Sequence, residues 1–249
     1  MKQFRFTGLL FSTVMAFVLI SCGGGGNEKT SAADSTAAAD SAAKAAAAAK
    51  AASTIITTPQ NMVIVTHKVA NYAKWLAGFE GHDSAKLANG MHNYVIGRGL
   101  QDSNMVMVAL KIDDTAKAKA FMKDPSLKKR MQQSGVIGAP MVSILTATWQ
   151  DTVMLETNLR SRTSFTVKDW GAWVKGFEDG KQERLNNGIT DRVVGHDLDD
   201  NKKVSIVLAV TDTAKAMAYW KSDALKKRRE ASGVIGEPVR FLFRIVKRY

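Results

Sequence analysis

The sequence predicts an α+β chain built from two consecutive β-α-β-β-α-β units, and three observations predict it. The chain repeats itself: shifted by 98 positions, residues 69–148 align with residues 167–246 without a gap, and 31 of those 80 pairs are identical. Identity is densest where residues 114–140 (DTAKAKAFMKDPSLKKRMQQSGVIGAP) meet residues 212–238 (DTAKAMAYWKSDALKKRREASGVIGEP), so the folding unit is the repeat. Within each copy, β-branched runs alternate with apolar residues at helical spacing. A length of 249 residues, 45% of them hydrophobic, suits two units of roughly 90 residues, each able to carry a core.

The first 21 residues read as an export signal. A basic start (Lys2, Arg5) precedes an apolar run from Leu9 to Ile20, short for a membrane-spanning helix, and a small residue follows. The stretch Leu19-Ile20-Ser21-Cys22 resembles the bacterial lipobox, in which the cysteine becomes the lipidated mature N-terminus. Cys22 is the single cysteine of the chain, so no intrachain disulfide competes for it. This resemblance implies a lipid membrane partner, held through acylated Cys22, and a place in the cell envelope. Gly23 after the cysteine favours the outer membrane, facing the periplasm. In the linker, residues 22–60, four glycines follow Cys22 and lead into an alanine-rich tract, a spacer that buries no core.

The first unit, residues 61–150, starts with a β-branched strand over 62–69 (MVIVTHKV). Tyr72, Trp75, Leu76 and Phe79 then fall on one face of a helix that Gly90 stops; Trp170, Trp173, Val174 and Phe177 are their counterparts. Strands follow near 93–98 and 105–112, separated by the polar run Gln101-Asp102-Ser103-Asn104. Asp114 or Thr115 caps a second helix, Pro125 restarts it, Gly135 ends it, and a last strand begins after Pro140. The second unit, residues 151–249, repeats the order, with Ser222-Asp223 at the restart and Gly233 at the stop.

That order is the ferredoxin-like split βαβ, a four-stranded antiparallel sheet with both helices on one face. The run HKVANYAKWLAGFEGH, a Gly-Arg strand end, DDTAKAKAF and LKKRMQQSGVIGAP resemble the antibiotic-biosynthesis-monooxygenase-type domains of the dimeric α/β-barrel superfamily, and both repeats share in the resemblance. It implies two tandem ferredoxin-like domains whose sheets pack face to face around a cavity, an intrachain dimeric-α/β-barrel-type pair. For some relatives it also implies oxygenation without a cofactor.

Side chains alternate across a sheet, which sorts the strands into two faces. Val106, Val108, Leu110 and Ile112 stay apolar as Val204, Ile206, Leu208 and Val210, which marks the face under the helices. The same alternation puts Tyr94, Ile96, Arg98, Val142 and Ile144 on the open face of copy one. On that of copy two it puts Arg160, Arg162, Arg192, His196, Arg240 and Arg244. Arginine forks suit carboxylates and phosphates, and burying them unpaired is costly. The expected site is therefore a cavity between the sheets for a small, partly apolar organic anion, held by Arg98, Arg192, His196, Arg240 and Arg244. The alternative is that these arginines reach solvent at strand ends or face another subunit.

His67, His82 and His92 occur in copy one opposite Phe165, Gly180 and Thr190. His67 and His82 bracket the first helix where the resembled family often carries histidine, which makes copy one the candidate active half and His67 and Tyr94 the catalytic candidates. No cofactor is expected, and no metal site, since there is no paired cysteine and the histidines lack tight helical spacing. Gly135-Val136-Ile137-Gly138 follows a helix instead of opening one, so it reads as a helix stop and a turn, not a phosphate loop. The formal charge of +12, of which about +10 falls on residues 61–249, permits anionic ligands, membranes or nucleic acid. Nucleic acid is excluded because the central strands, 105–112 and 203–210, carry no aromatic for base stacking. Three readings remain: a binding module for a small anion, a cofactor-independent monooxygenase-like enzyme, and a structural envelope protein that assembles through its sheet faces, with room for a homo-oligomer.

Overall fold

The structure, a computed structural model, describes residues 40–41 and 54–249. The chain falls into two units, residues 1–45 and 46–249; of the first, Asp40 and Ser41 are described, both helical. The signal stretch, Cys22 and most of the alanine-rich tract lie outside the described residues. No helix among the described residues is long and apolar enough to cross a membrane.

The second unit opens with a short strand, β1 (Ile55–Ile56). The first repeat then runs β2 (Gln60–Val69), α1 (Tyr72–Glu80), α2 (Asp83–Ala88), β3 (Met91–Gly99), β4 (Met105–Ile112), α3 (Thr115–Met122), α4 (Pro125–Gln133) and β5 (Val136–Asp151). The second runs β6 (Leu159–Val167), α5 (Trp170–Asp179), α6 (Lys181–Asn186), β7 (Ile189–Asp197), β8 (Lys203–Val210), α7 (Thr213–Trp220), α8 (Asp223–Ala231) and β9 (Val234–Arg248). The predicted order thus occurs twice, with each helical stretch split in two. Asp114 accepts the N–H groups of Ala116 and Lys117 at 2.9 and 3.0 Å and starts α3, while Asp124 caps the restart at Pro125. Gly135 and Gly233 end α4 and α8 with φ of +89° and +78°, a region open to glycine and strained for other residues.

The strands hydrogen-bond in the order β5-β2-β4-β3-β9-β6-β8-β7, and β7 pairs back onto β5, so the sheet closes into an antiparallel barrel with β1 as a spur on β5. Closure removes the edges that a single four-stranded unit would expose. The repeats meet at two seams, β3 with β9 and β7 with β5. Arg98 pairs with Arg244 at one and His196 with Thr146 at the other, the same two positions after a shift of 98, so the seams are pseudo-symmetric. Helices cover the outside. Trp75 and Trp173 anchor the two cores between helices and sheet, and a third apolar cluster around Met62, Met107 and Phe243 lines the barrel lumen.

Bulges change which side chains face that lumen. The β3–β4 ladder slips between Asn93 and Val95, and the β7–β8 ladder slips between Asp191 and Val193. Tyr94 and Val95 both join the lumen cluster, after which alternation resumes one residue out of phase, with Ile96 in the core under the helices. A further bulge lies in β5, which starts at Val136 and not after Pro140: the ladder to β2 jumps from Ile137 to Met141, with Gly138 at φ +72°. Beyond it Leu145 faces the lumen and Ile144 the helices.

Candidate functional site

A cavity of about 420 Å³ opens between the first sheet and its helices, a size typical of small-molecule pockets. Its floor is Val65 and His67 from β2 with Val108 and Leu110 from β4, and its walls are Trp75 and Phe79 from α1 and Phe121 and Met122 from α3. Trp75 is placed by helical spacing: Tyr72, Trp75 and Phe79 form a ladder of rings 5.7 and 5.2 Å apart. The cavity is therefore apolar and aromatic.

His67 is its anomaly. The ring is 4% exposed, sits 5.4 Å from the Trp75 ring, and neither nitrogen has a hydrogen-bond partner. Burial pushes its pKa down to about 4, so the imidazole is neutral. Lys86 also lines the cavity but is engaged: its Nζ donates to the Phe79 carbonyl at 2.9 Å, lies 2.7 Å from Asp83, and sits 3.3 Å over the Phe79 ring. His82 is held through Nδ1 by the Gly78 carbonyl. Ala85 and Arg130 both line the cavity, and Arg130 makes no ion pair among the described residues. Asp124 also lines the cavity, its carboxyl held below the usual range by the Ser126 N–H and, more weakly, by the Arg130 charge.

The same place in the second repeat holds a cavity of about 70 Å³. The shift of 98 shows why. Phe165 replaces His67, Tyr219 replaces Phe121, Trp220 replaces Met122 and Arg240 replaces Val142, each change adding bulk. Arg184, in the place of Lys86, is buried and forms a two-pronged pair with Asp191 at 2.7 and 2.6 Å. Arg228, the counterpart of Arg130, is paired with Glu183, whose counterpart is Ala85.

The predicted site residues do not converge on one cavity. Tyr94 and Arg192 line a small cavity in the lumen, together with Arg160 and Arg162. His67 is in the sheet-helix cavity of copy one. The expectation that Arg98, His196, Arg240 and Arg244 join Arg192 between the sheets is corrected by the bulges, which turn all four outward. Arg98 lies 4.3 Å over the Tyr72 ring and donates to the Ser103 carbonyl, while His196 packs edge-on against Trp170 at 4.8 Å. Arg240 lies 4.0 Å over the Trp220 ring in the filled second cavity, and Arg244 is exposed beside Asn158. Val142 and Ile144 leave the lumen for the same reason. Ala85 escaped the sequence reading, although Glu183 at the matching position of the second copy was the signal that marks it. Among the described residues no group of three or more His, Cys, Asp or Glu side chains is placed to hold a metal ion.

Two ferredoxin-like repeats closed into one barrel, with helices outside, define a dimeric α/β-barrel-type fold made by a single chain. No family model matches the chain, and no curated protein matches it in sequence. Solved structures do match. An anthrone oxidase-like protein aligns at 13% identity and a TM-score of 0.50, over 78% of this chain and 94% of its own. A ferredoxin-fold protein related to antibiotic biosynthesis monooxygenases, from Listeria monocytogenes, aligns at 7% identity and a TM-score of 0.43, over 77% and 97%. A heme-binding protein from Thermus thermophilus aligns at 10% identity and a TM-score of 0.46, over 78% and 94%. The likeness to the anthrone oxidase-like protein is one of fold.

Proposed function

We propose that the chain binds a small, partly apolar organic anion in the sheet-helix cavity of its first repeat. The observation that carries this reading is the contrast between the copies: one position is filled by side chains and its Arg228 is paired with Glu183, while the other is open and keeps Arg130 but carries Ala85 in place of that glutamate. A ligand carboxylate takes the place that Glu183 occupies in copy two, its apolar body lies against Trp75 and Phe79, and a hydrogen-bonding atom meets His67. The test is calorimetric titration of a panel of aromatic and aliphatic acids into the wild type and Ala85→Glu, which restores the copy-two pair. Binding that weakens at least tenfold in Ala85→Glu, with unchanged melting temperature, supports the reading; a panel without a binder, or equal binding by both proteins, rejects it.

The unpartnered imidazole favours a second reading, a cofactor-independent monooxygenase-like enzyme with His67 as proton acceptor. Magnitudes weigh against it for phenol-type substrates. A phenol of pKa about 10 loses its proton to an imidazole of pKa about 4 at a cost of ~8 kcal/mol. His67 is thus better suited to hydrogen bonding than to proton removal. Substrate-dependent oxygen uptake that disappears in His67→Phe would reverse that order. For the cell we propose an envelope protein tethered at acylated Cys22 on the periplasmic face of the outer membrane, a reading supported by the sequence motif. Mass spectrometry of the mature N-terminus, with Cys22→Ser as control, tests it.

A further inference from the structure

The barrel lumen contains a second cavity of opposite chemistry. It measures about 90 Å³, several times the ~10–15 Å³ that holds one water molecule on the same measure, and so has room for a small ion. Its two halves differ by descent from one repeat. Where copy one places Met62, Ile64, Tyr94 and Gln150, copy two places Arg160, Arg162, Arg192 and Arg248. All four arginines line the cavity, and Asp151 is the carboxylate among its lining residues.

Arg160 is 1% exposed; its Nη1 donates to the carbonyls of Thr157 and Leu159 at 2.8 and 2.9 Å, and its Nη2 is buried without a partner. Arg192 is 6% exposed, donates Nη2 to the Val153 carbonyl at 2.5 Å, and stands 3.4 Å from Asp151, a long contact for a salt bridge. Asp151 is already engaged, its Oδ1 accepting from the Thr54 hydroxyl and the Val153 N–H, each at 2.9 Å. Burial, and then Arg192 and Arg248, lower the pKa of Arg160 to about 10, so its neighbours oppose its charge. One shared carboxylate does not neutralise this group, and an uncompensated buried cation is costly.

We infer that the lumen cavity is a binding site for a small oxyanion of phosphate size, held by Arg160 and Arg192 with Arg248 at its rim. The oxygens of such an ion accept from the free Nη2 of Arg160 and complete the weakly paired Arg192. Asp151 and Tyr94 belong to the first repeat and the arginines to the second, so the bound ion also ties the repeats together next to the β5–β7 seam. This site is separate from the organic-anion pocket, and either stands without the other.

The experiment is thermal unfolding of the full chain against inorganic phosphate, with sodium chloride balancing ionic strength. The expected result is a saturable rise in melting temperature with phosphate, absent with chloride, and a phosphate affinity at least tenfold weaker in Arg160→Met, which installs the copy-one residue. Ala85→Glu keeps the full phosphate response, which separates this site from the organic-anion pocket. Should Arg160→Met fail to fold, Arg248→Gln at the rim is expected to fold normally and bind phosphate several-fold more weakly. Equal effects of phosphate and chloride, or a phosphate midpoint unchanged in both arginine variants, overturn the inference.

Discussion

Replacing His67 with phenylalanine, the residue that copy two carries at the same place, is expected to stabilise the protein in a pH-dependent way. At pH 7.5 the change removes a buried imidazole whose nitrogens have no partners, a defect worth about 1–3 kcal/mol. The larger ring has the adjoining cavity to expand into, and Phe165 shows the packed alternative, edge-on to Trp173 at 5.3 Å. A gain of about 2 kcal/mol corresponds to ~4–8 °C in melting temperature for a domain of this size. Acid enlarges the difference. The folded pKa of His67, about 4, lies below its ordinary 6.5, so on lowering the pH the unfolded chain takes up a proton before the folded one does. The wild type therefore keeps its stability above pH 6.5 and loses it between pH 6.5 and 4, by ~3 kcal/mol at about 1.4 kcal/mol per pH unit. His67→Phe has no such loss. The assay is urea unfolding of both proteins at pH 7.5, 5.5 and 4.5. Stability curves that run parallel in pH, or a variant less stable than wild type at every pH, refute a buried, unpartnered and neutral His67.

Two further outcomes test the packing argument. Arg184→Leu leaves the buried carboxylate of Asp191 without its two-pronged partner and is expected to destabilise by about 3–5 kcal/mol in urea unfolding, whereas Arg184→Leu/Asp191→Leu recovers most of that loss. Gly188→Ala and Gly138→Ala both place a side chain at positive φ, +66° and +72°, a strain of about 1–2 kcal/mol; the new Cβ of the first overlaps Asp212 while that of the second meets nothing within 4 Å. Thermal unfolding is expected to show Gly188→Ala the more damaging by at least ~1 kcal/mol, and equal losses would contradict the close approach of α6 and α7 at Asp212.

Element order was legible because it rests on local chemistry. Asp114, Asp124-Pro125 and Gly135 act within a turn of their own position, and the duplication shows each signal twice. The breaks at Gly81 and Gly180 went unread, because the stop was placed at Gly90, although a glycine within a polar run stands at each break. Lumen-facing residues were legible on β4 and β8, where alternation is unbroken, and illegible past the bulges on β3, β7, β5 and β9, where one extra residue reverses every face that follows. Strict alternation places Arg98 and His196 in the lumen for that reason. His67 stood out because a ring nitrogen opposite a phenylalanine breaks the match between the copies. Ala85 did not, because an alanine on a helix carries no chemistry until its counterpart is known to hold an arginine.

The fusion of the two repeats explains how such differences arose. In a barrel made from two identical chains, every substitution appears twice, so Glu183 and Ala85 could not face opposite arginines in one molecule. One chain lifts that constraint. The second repeat has spent its pocket on packing: Phe165, Tyr219, Trp220 and Arg240 occupy the volume, and Arg184 with Asp191 locks α6 to β7. The first repeat keeps the volume and carries its cost, an unpartnered imidazole beside Trp75. The lumen divides in the same way, with methionine and isoleucine from one copy facing arginine from the other. A cavity that persists next to a filled counterpart, on identical backbone topology, is not forced by the fold. Reversal at Ala85 alone therefore asks whether the open state serves a ligand, because a glutamate there supplies the carboxylate that the second repeat already contains.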